Sequence, residues 1–167
     1  MGAGMTHFVF WVLILAAVSA SGAEKTLTGK VIRVADGDTV TILLKDKTEQ
    51  RIRFQAIDAP EHAQDFGSAS RKFLNDLVYG KTILVKVDKI DKHNRVVGRV
   101  YLDDTDVELE SLKAGMSWHY SFFNQEKALA EAQAEAQKAK RGLWSQKNPI
   151  NPQDWRRGKR PEAKKAK

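Results

Sequence analysis

Residues Val34–Ile42 read VADGDTVTI: two acids flank a glycine between two segments that alternate apolar and polar residues. Alternation with period two marks half-buried strands. Asp-Gly between such runs marks a hairpin, because glycine takes a positive φ without steric cost. The turn needs one acid, Asp36, and leaves Asp38 over. Working outward, the strand pattern extends over Thr26–Ala35 on one side and Thr39–Leu44 on the other. A third run, Glu49–Ile57, follows a turn at Lys45-Asp46-Lys47. Val31, Val34, Val40, Ile42, Ile52, Phe54 and Ile57 are β-branched or aromatic and suit a pleated, half-buried surface. Pro60 ends the third strand, since it has no N–H to donate and biases Ala59 toward extended backbone.

Further along, Ser68–Tyr79 reads as a helix stopped by Gly80, with Phe73, Leu74, Leu77 and Val78 on one face. Lys81–Lys89 and Arg95–Leu102 read as two more strands. Asp106–Ala114 reads as a short helix with Asp106 as N-cap and Gly115 as its stop. The Ala/Glu/Lys-rich stretch Gln125–Arg141 is a high-propensity helix ended by Gly142 and fastened by Leu143 and Trp144. After Pro149 and Pro152 the chain turns polar and basic and is expected to fray. No internal repeat is evident. The order β-β-β-α-β-β-α-α predicts an α+β fold with a mainly β core: a five-stranded, partly open OB-type barrel with about three packed helices.

The chain has 167 residues, enough for one domain with a hydrophobic core plus extensions. It has no cysteine, which excludes disulfides and thiolate metal sites. Phe8–Val18 is an apolar run well short of the roughly 20 residues a membrane-spanning helix requires. The small residues Ser19–Ala23 follow it. This pattern predicts a signal peptide over residues 1–23, cleaved near Ala23 or Ala20, and an exported protein, periplasmic or secreted. The absence of Lys or Arg before the apolar run fits that reading poorly, and an uncleaved N-terminal anchor is the alternative. The net charge is +7, of which the tail Arg156–Lys167 carries +6, leaving the body close to neutral. The basic tail suits nucleic acid or an anionic surface, and equally a solvated end.

Several charged residues are not demanded by the barrel: Asp38 in the first turn, Arg53 within the third strand, Asp58 and Glu61 around Ala59-Pro60, and Arg95 after Asp91-Lys92-His93-Asn94. Each has a plain structural reading: a turn acid, a cross-strand ion pair, a loop cap or a solvated charge. Together they have a chemical one. Carboxylates suit a hard cation such as Ca²⁺ or Mg²⁺, which takes oxygen ligands and keeps several waters. A further carboxylate can orient or deprotonate a water. Two arginines can fork onto phosphate oxygens. The set makes sense as metal-assisted phosphodiester hydrolysis.

Three segments, DGDTV (Asp36–Val40), IRFQAIDAPE (Ile52–Glu61) and DKHNRVVGRVYL (Asp91–Leu102), resemble the staphylococcal nuclease-like family, the thermonucleases. The likeness continues through Phe66–Val87, Leu112–Tyr120 and Ala136–Ser145. The resemblance implies a Ca²⁺-dependent nuclease acting on DNA and RNA with low sequence specificity. It implies Asp38, Asp58 and the main-chain carbonyl of Ala59 as metal ligands. Glu61 falls on the general-base position, and Arg53 and Arg95 fall on the phosphate-contacting arginines. Products would carry 3′-phosphate ends. Lys92 lies where a basic residue near the terminal phosphate is expected. Ala59 replaces the usual Thr, and His93-Asn94 the usual Tyr-Gly; Asn94 tolerates the left-handed backbone a glycine would supply. Tyr120 and Phe123 read equally as base-stacking or core aromatics, and His119 has no assigned role.

The expected organisation is therefore a leader (1–23), one nuclease-like domain (24–155) and a flexible basic tail (156–167), in a monomer with no stable protein partner and no membrane span after cleavage. The competing function is a non-catalytic OB-fold module that binds nucleic acid without cutting it. Such a module has no use for Glu61 or the metal acids.

Overall fold

The structure, a computed structural model, describes residues 25–161, so the expected leader lies outside the described residues. Strand β1 (Thr26–Asp36) is long enough to serve two neighbours, pairing antiparallel with β2 (Thr39–Leu43) through one half and with β5 (Thr82–Ile90) through the other. Register shifts at Val31/Arg33 and Val34/Asp36 bend it between them, as an extra residue in one strand of a pair does. β2 pairs with β3 (Glu49–Phe54), and β5 with β6 (Val96–Leu102). Parallel pairing of β3 with β6, from Ile52↔Val96 to Phe54↔Gly98, closes the sheet. The result is a five-stranded OB-type barrel, as expected, but closed by the parallel β3–β6 pairing rather than partly open. A short strand β7 (Thr105–Asp106) extends it beyond β6.

The third strand ends earlier than its sequence suggests. After Phe54 the chain bends, and Ile57–Asp58 becomes a separate strand, β4, paired with β8 (Trp118–His119). Two hydrogen bonds account for the break. Gln55 N–H donates to Gly98 O, and Ala56 N–H donates to the carboxylate of Glu108. The bend lifts Asp58 off the barrel wall and into a cleft at its rim.

Helix α1 (Gly67–Val78) buries Leu74 and Val78 against β1. Helix α2 (Val107–Lys113) starts at Asp106, whose carboxylate accepts the Glu108 and Leu109 N–H groups, the cap expected there. Gly115, at φ 66, ends it. Helix α3 (Lys127–Lys138) buries Leu129, Ala132 and Ala136, and is shorter at both ends than its helical propensity suggests. Beyond a 3₁₀ turn at Gly142–Ser145, where Leu143 and Trp144 are buried, a fourth helix forms: α4 (Pro152–Arg156), capped by Asn151 with Pro152 in its first turn. Inside the barrel Val31, Val40, Ile42, Ile52, Phe54, Val85 and Val100 are almost fully buried, with Leu74, Leu112 and Leu129 closing its ends. Each such side chain contributes on the order of 1.5–3 kcal/mol. No helix among the described residues is long and apolar enough to cross a membrane.

Candidate active site

The sequence-predicted residues come from five parts of the chain, and the barrel brings them to one open cleft of about 790 Å³. Asp38 comes from the β1–β2 turn, Arg53 from the end of β3, and Asp58 to Glu61 from the segment after the bend. Lys92 and Arg95 come from the β5–β6 connection, and Tyr120 and Phe123 from the segment after β8. All line the cleft, as does Ala59. From Asp38 to Phe123 they span 85 positions of the chain, and β-turn chemistry alone would have left them separate.

At the first turn, Asp36 Oδ1 accepts the Asp38 N–H at 3.1 Å, which turns the chain and frees the Asp38 carboxylate to point inward. There Asp38 Oδ2 accepts the Ala59 N–H at 2.7 Å, and Oδ1 accepts the Thr39 hydroxyl at 3.0 Å. The glycine is required here for space rather than for φ. Gly37 is not among the positive-φ glycines, but a Cβ on it would meet Ser70 Oγ at 1.8 Å and Ala59 Cβ at 2.7 Å. The turn is pressed against α1 and the acidic loop. The left-handed backbone expected at Asn94 is present, at φ 57.

Arg53 organises the buried acids. Its Nη1 donates to Phe54 O at 2.6 Å and Ile57 O at 2.8 Å, pinning both sides of the bend. Its Nη2 lies 3.1 Å from Asp38 Oδ2 and 3.0 Å from Asp58 Oδ1. The two aspartates therefore converge on one nitrogen. Burial pushes the Asp38 carboxyl up to about 6, against the opposing charge of Arg53. Burial also raises Asp58, with the hydrogen bond from Arg156 opposing it. Arg95 is held differently: its Nε and Nη2 both lie 2.8 Å from Asp91 Oδ2. Slight burial works against the Asp91 charge, but bonds from the Arg95 and His93 N–H groups and the Arg95 side chain keep that carboxyl at about 2.

Glu61 is half-exposed, and its backbone N–H donates to Gln64 Oε1 at 3.1 Å. Tyr120 and Phe123 stack edge to face at 4.7 Å, with Lys89 Nζ 4.7 Å above the Phe123 ring. Neither belongs to the buried core, and both line the cleft. His119 sits in β8 with its N–H on Gln133 Oε1. Burial lowers its pKa, so it favours the neutral ring.

The donor set fits a hard cation. Among the described residues no three His, Cys, Asp or Glu side chains gather into a ready-made metal cage. Asp38 and Asp58 instead offer two buried carboxylates, with backbone oxygen beside them at Ala59. A site so sparing in protein ligands suits Ca²⁺ or Mg²⁺, which complete their shells with water. Of the ligands a softer metal prefers, one imidazole, His93, and no sulfur atom lines the cleft.

The sequence reading missed Arg156, placed in a loose tail. In the structure it ends α4 and reaches the acids: Nη2 lies 2.8 Å from Asp58 Oδ2, and Nη1 lies 2.6 Å from Glu61 Oε1. Asn-Pro ahead of Gln-Asp-Trp was the available sign of a helix start. Nothing local announces a contact with residues some 95 positions away. Gln64, which ties the acidic loop to Ile150 O at 2.5 Å, was missed for the same reason.

A family model described as staphylococcal nuclease homologue matches residues 51–146. An uncharacterized endonuclease of Haemophilus influenzae is 39% identical over 145 residues, covering 87% of this chain and 81% of the relative. An uncharacterized endonuclease of Escherichia coli is 41% identical over 132 residues, covering 78% and 86%. A micrococcal nuclease of Shigella flexneri is 34% identical over 140 residues, covering 77% and 80%.

Proposed function

The chain belongs to the staphylococcal nuclease family, and from that premise we propose that it is a Ca²⁺-dependent endonuclease hydrolysing DNA and RNA with low sequence specificity. The observation that carries the reading is the convergence of Asp38 and Asp58 on Arg53 in a cleft that also holds Glu61 and Arg95. A module that only binds nucleic acid has no need to bury two carboxylates on one guanidinium. Such burial is costly unless the site has a use for it.

Asp38, Asp58 and the Ala59 carbonyl would hold the cation, which supplies a Lewis acid against a phosphate oxygen and draws the substrate into place. Glu61, half-exposed at the cleft, takes the proton of a water attacking phosphorus in line. The guanidinium groups of Arg53 and Arg95 pair with the non-bridging oxygens as charge grows there, Arg95 exchanging Asp91 for the phosphate. The 5′-oxygen leaves, so the upstream fragment keeps a 3′-phosphate. Lys92 meets the terminal phosphate. Tyr120 and Phe123 offer ring faces to a base, a contact indifferent to sequence because every base has a π face. We read the chain as exported and monomeric, with its basic tail adding salt-sensitive attraction to nucleic acid.

The test is end-group analysis of DNA and RNA strands incubated with the purified protein, with and without Ca²⁺. Products ending in 3′-phosphate, formed only with Ca²⁺, support the assignment. Ends carrying 5′-phosphate would overturn the leaving-group assignment. Binding with no cleavage under any divalent ion would overturn the enzyme in favour of a binding module.

A further inference from the structure

Arg156 occupies both oxygens of Asp58. Its Nη2 is 2.8 Å from Oδ2 and its Nη1 is 3.2 Å from Oδ1, while Nη1 also reaches Glu61 Oε1 at 2.6 Å. Asp58 Oδ1 is further engaged by Arg53. Oxygen ligands approach Ca²⁺ to roughly 2.3–2.6 Å. Asp58 thus already serves two guanidinium groups, and a cation placed beside a retained Arg156 adds a third positive group to one carboxylate, so cation binding and the Arg156 contact oppose each other.

Of the two arginines, Arg156 is the one able to leave. Arg53 is fixed by two backbone carbonyls and is 14% exposed, whereas Arg156 is 46% exposed and rides on a five-residue helix near the end of the chain. That helix is anchored to the rest of the molecule through Gln64 and Ile150 at its base. Short elements of this kind open at the low end of a protein's stability range.

We propose that Arg156 is a resident occupant of the cation site, a latch through which the segment Asn151–Gly158 competes with a divalent cation for Asp58 and Glu61. The cation concentration at which the site opens is thus set by this chain's own arginine. Opening also releases Glu61, so the general base becomes free at the same moment as the metal ligand. The inference rests on Asp58 being a cation ligand, as read above. It concerns binding and displacement rather than turnover, so the two can fail separately.

The test is Ca²⁺ binding by calorimetry, without nucleic acid, to the wild-type protein, Arg156→Gln and Arg156→Lys, together with hydrogen exchange of the wild type. The latch predicts Ca²⁺ binding roughly tenfold tighter in Arg156→Gln, with Arg156→Lys intermediate because it keeps the charge and loses the fork. In the wild type, Ca²⁺ should speed exchange of the Trp155, Arg157 and Gly158 amides, which close α4 onto Asn151, Gln153 and Trp155. Equal or weaker Ca²⁺ binding in Arg156→Gln would overturn the proposal. So would α4 exchange unchanged by Ca²⁺, a result that needs no variant to fold. Ca²⁺-dependent cleavage with unchanged affinity in Arg156→Gln would remove the latch and leave the nuclease standing. Tighter binding without cleavage would do the reverse.

Discussion

Glu108 is fully buried, and its carboxylate accepts the Ala56 N–H that bends the chain toward Asp58. Burial raises its pKa from 4.5 to about 7, against the pull of Arg99 and the bond from Ala56. Because the folded value lies above the unfolded one, the associated stability is fully present below about 4.5 and is lost as pH rises through about 7. At about 1.4 kcal/mol per unit, the loss is on the order of 3 kcal/mol. Urea unfolding of the wild type should therefore weaken between pH 5 and pH 8 more than that of Glu108→Gln, which keeps an oxygen for Ala56 and cannot ionise. Parallel pH profiles for the two proteins would contradict the assignment. The two arginines should also separate. Arg53→Ala leaves two buried aspartates without their shared cation and should cost roughly 3–5 kcal/mol. Arg95→Ala breaks a single, more open pair and should cost about 1 kcal/mol or less. Both should lose activity, so denaturation rather than turnover distinguishes them.

At the scale of elements, the site depends on a turn, a bend and a helix meeting at small residues. Gly37→Ala puts a methyl against Ser70 in α1 and against Ala59. It should destabilise the fold by about 1–3 kcal/mol, as overpacking does, and weaken Ca²⁺ binding by shifting the Ala59 amide that fixes Asp38. Urea denaturation and calorimetry on one preparation check both. That turn also shows how far a sequence can be read. The hairpin and the spare acid were legible, because Asp-Gly between alternating runs has a local cause. The reason for the glycine was not, since it lies in the approach of α1, which comes 30 residues later. The bend after Phe54 was hidden likewise: Gln55-Ala56 carries no breaker, and the groups that bend it are Gly98 and Glu108 across the barrel. Arg156 was unreadable because its role is set by where α4 docks, not by its neighbours in the chain.

For the molecule as a whole, charge is divided between a nearly neutral barrel, a cleft with five Lys and Arg side chains around its acids, and a basic end. The proposed function has the cleft's Arg53, Lys89, Lys92 and Arg95 follow a phosphate backbone, and each phosphate neutralised should steepen the salt dependence of single-strand binding by about 0.7 in log–log slope. Binding of a DNA strand to Glu61→Gln with Ca²⁺ present, measured across salt concentrations, should give a shallower slope when residues 162–167 are removed. An unchanged slope would show that the tail takes no part. The barrel was visible from the strand pattern and the family likeness from three short motifs, which hold Asp38, Arg53, Asp58, Glu61, Lys92 and Arg95; Lys89, Tyr120, Phe123 and Arg156 of the cleft lie outside those motifs.

The most direct test of the account is cleavage of heat-denatured DNA by the purified protein, with Ca²⁺ or with a chelator, beside Glu61→Ala. The account predicts cleavage that requires Ca²⁺ and falls by roughly 10²–10⁴-fold in the variant, the range a positioned general base supplies. Cleavage that persists in the chelator, or that Glu61→Ala leaves undiminished, would contradict it.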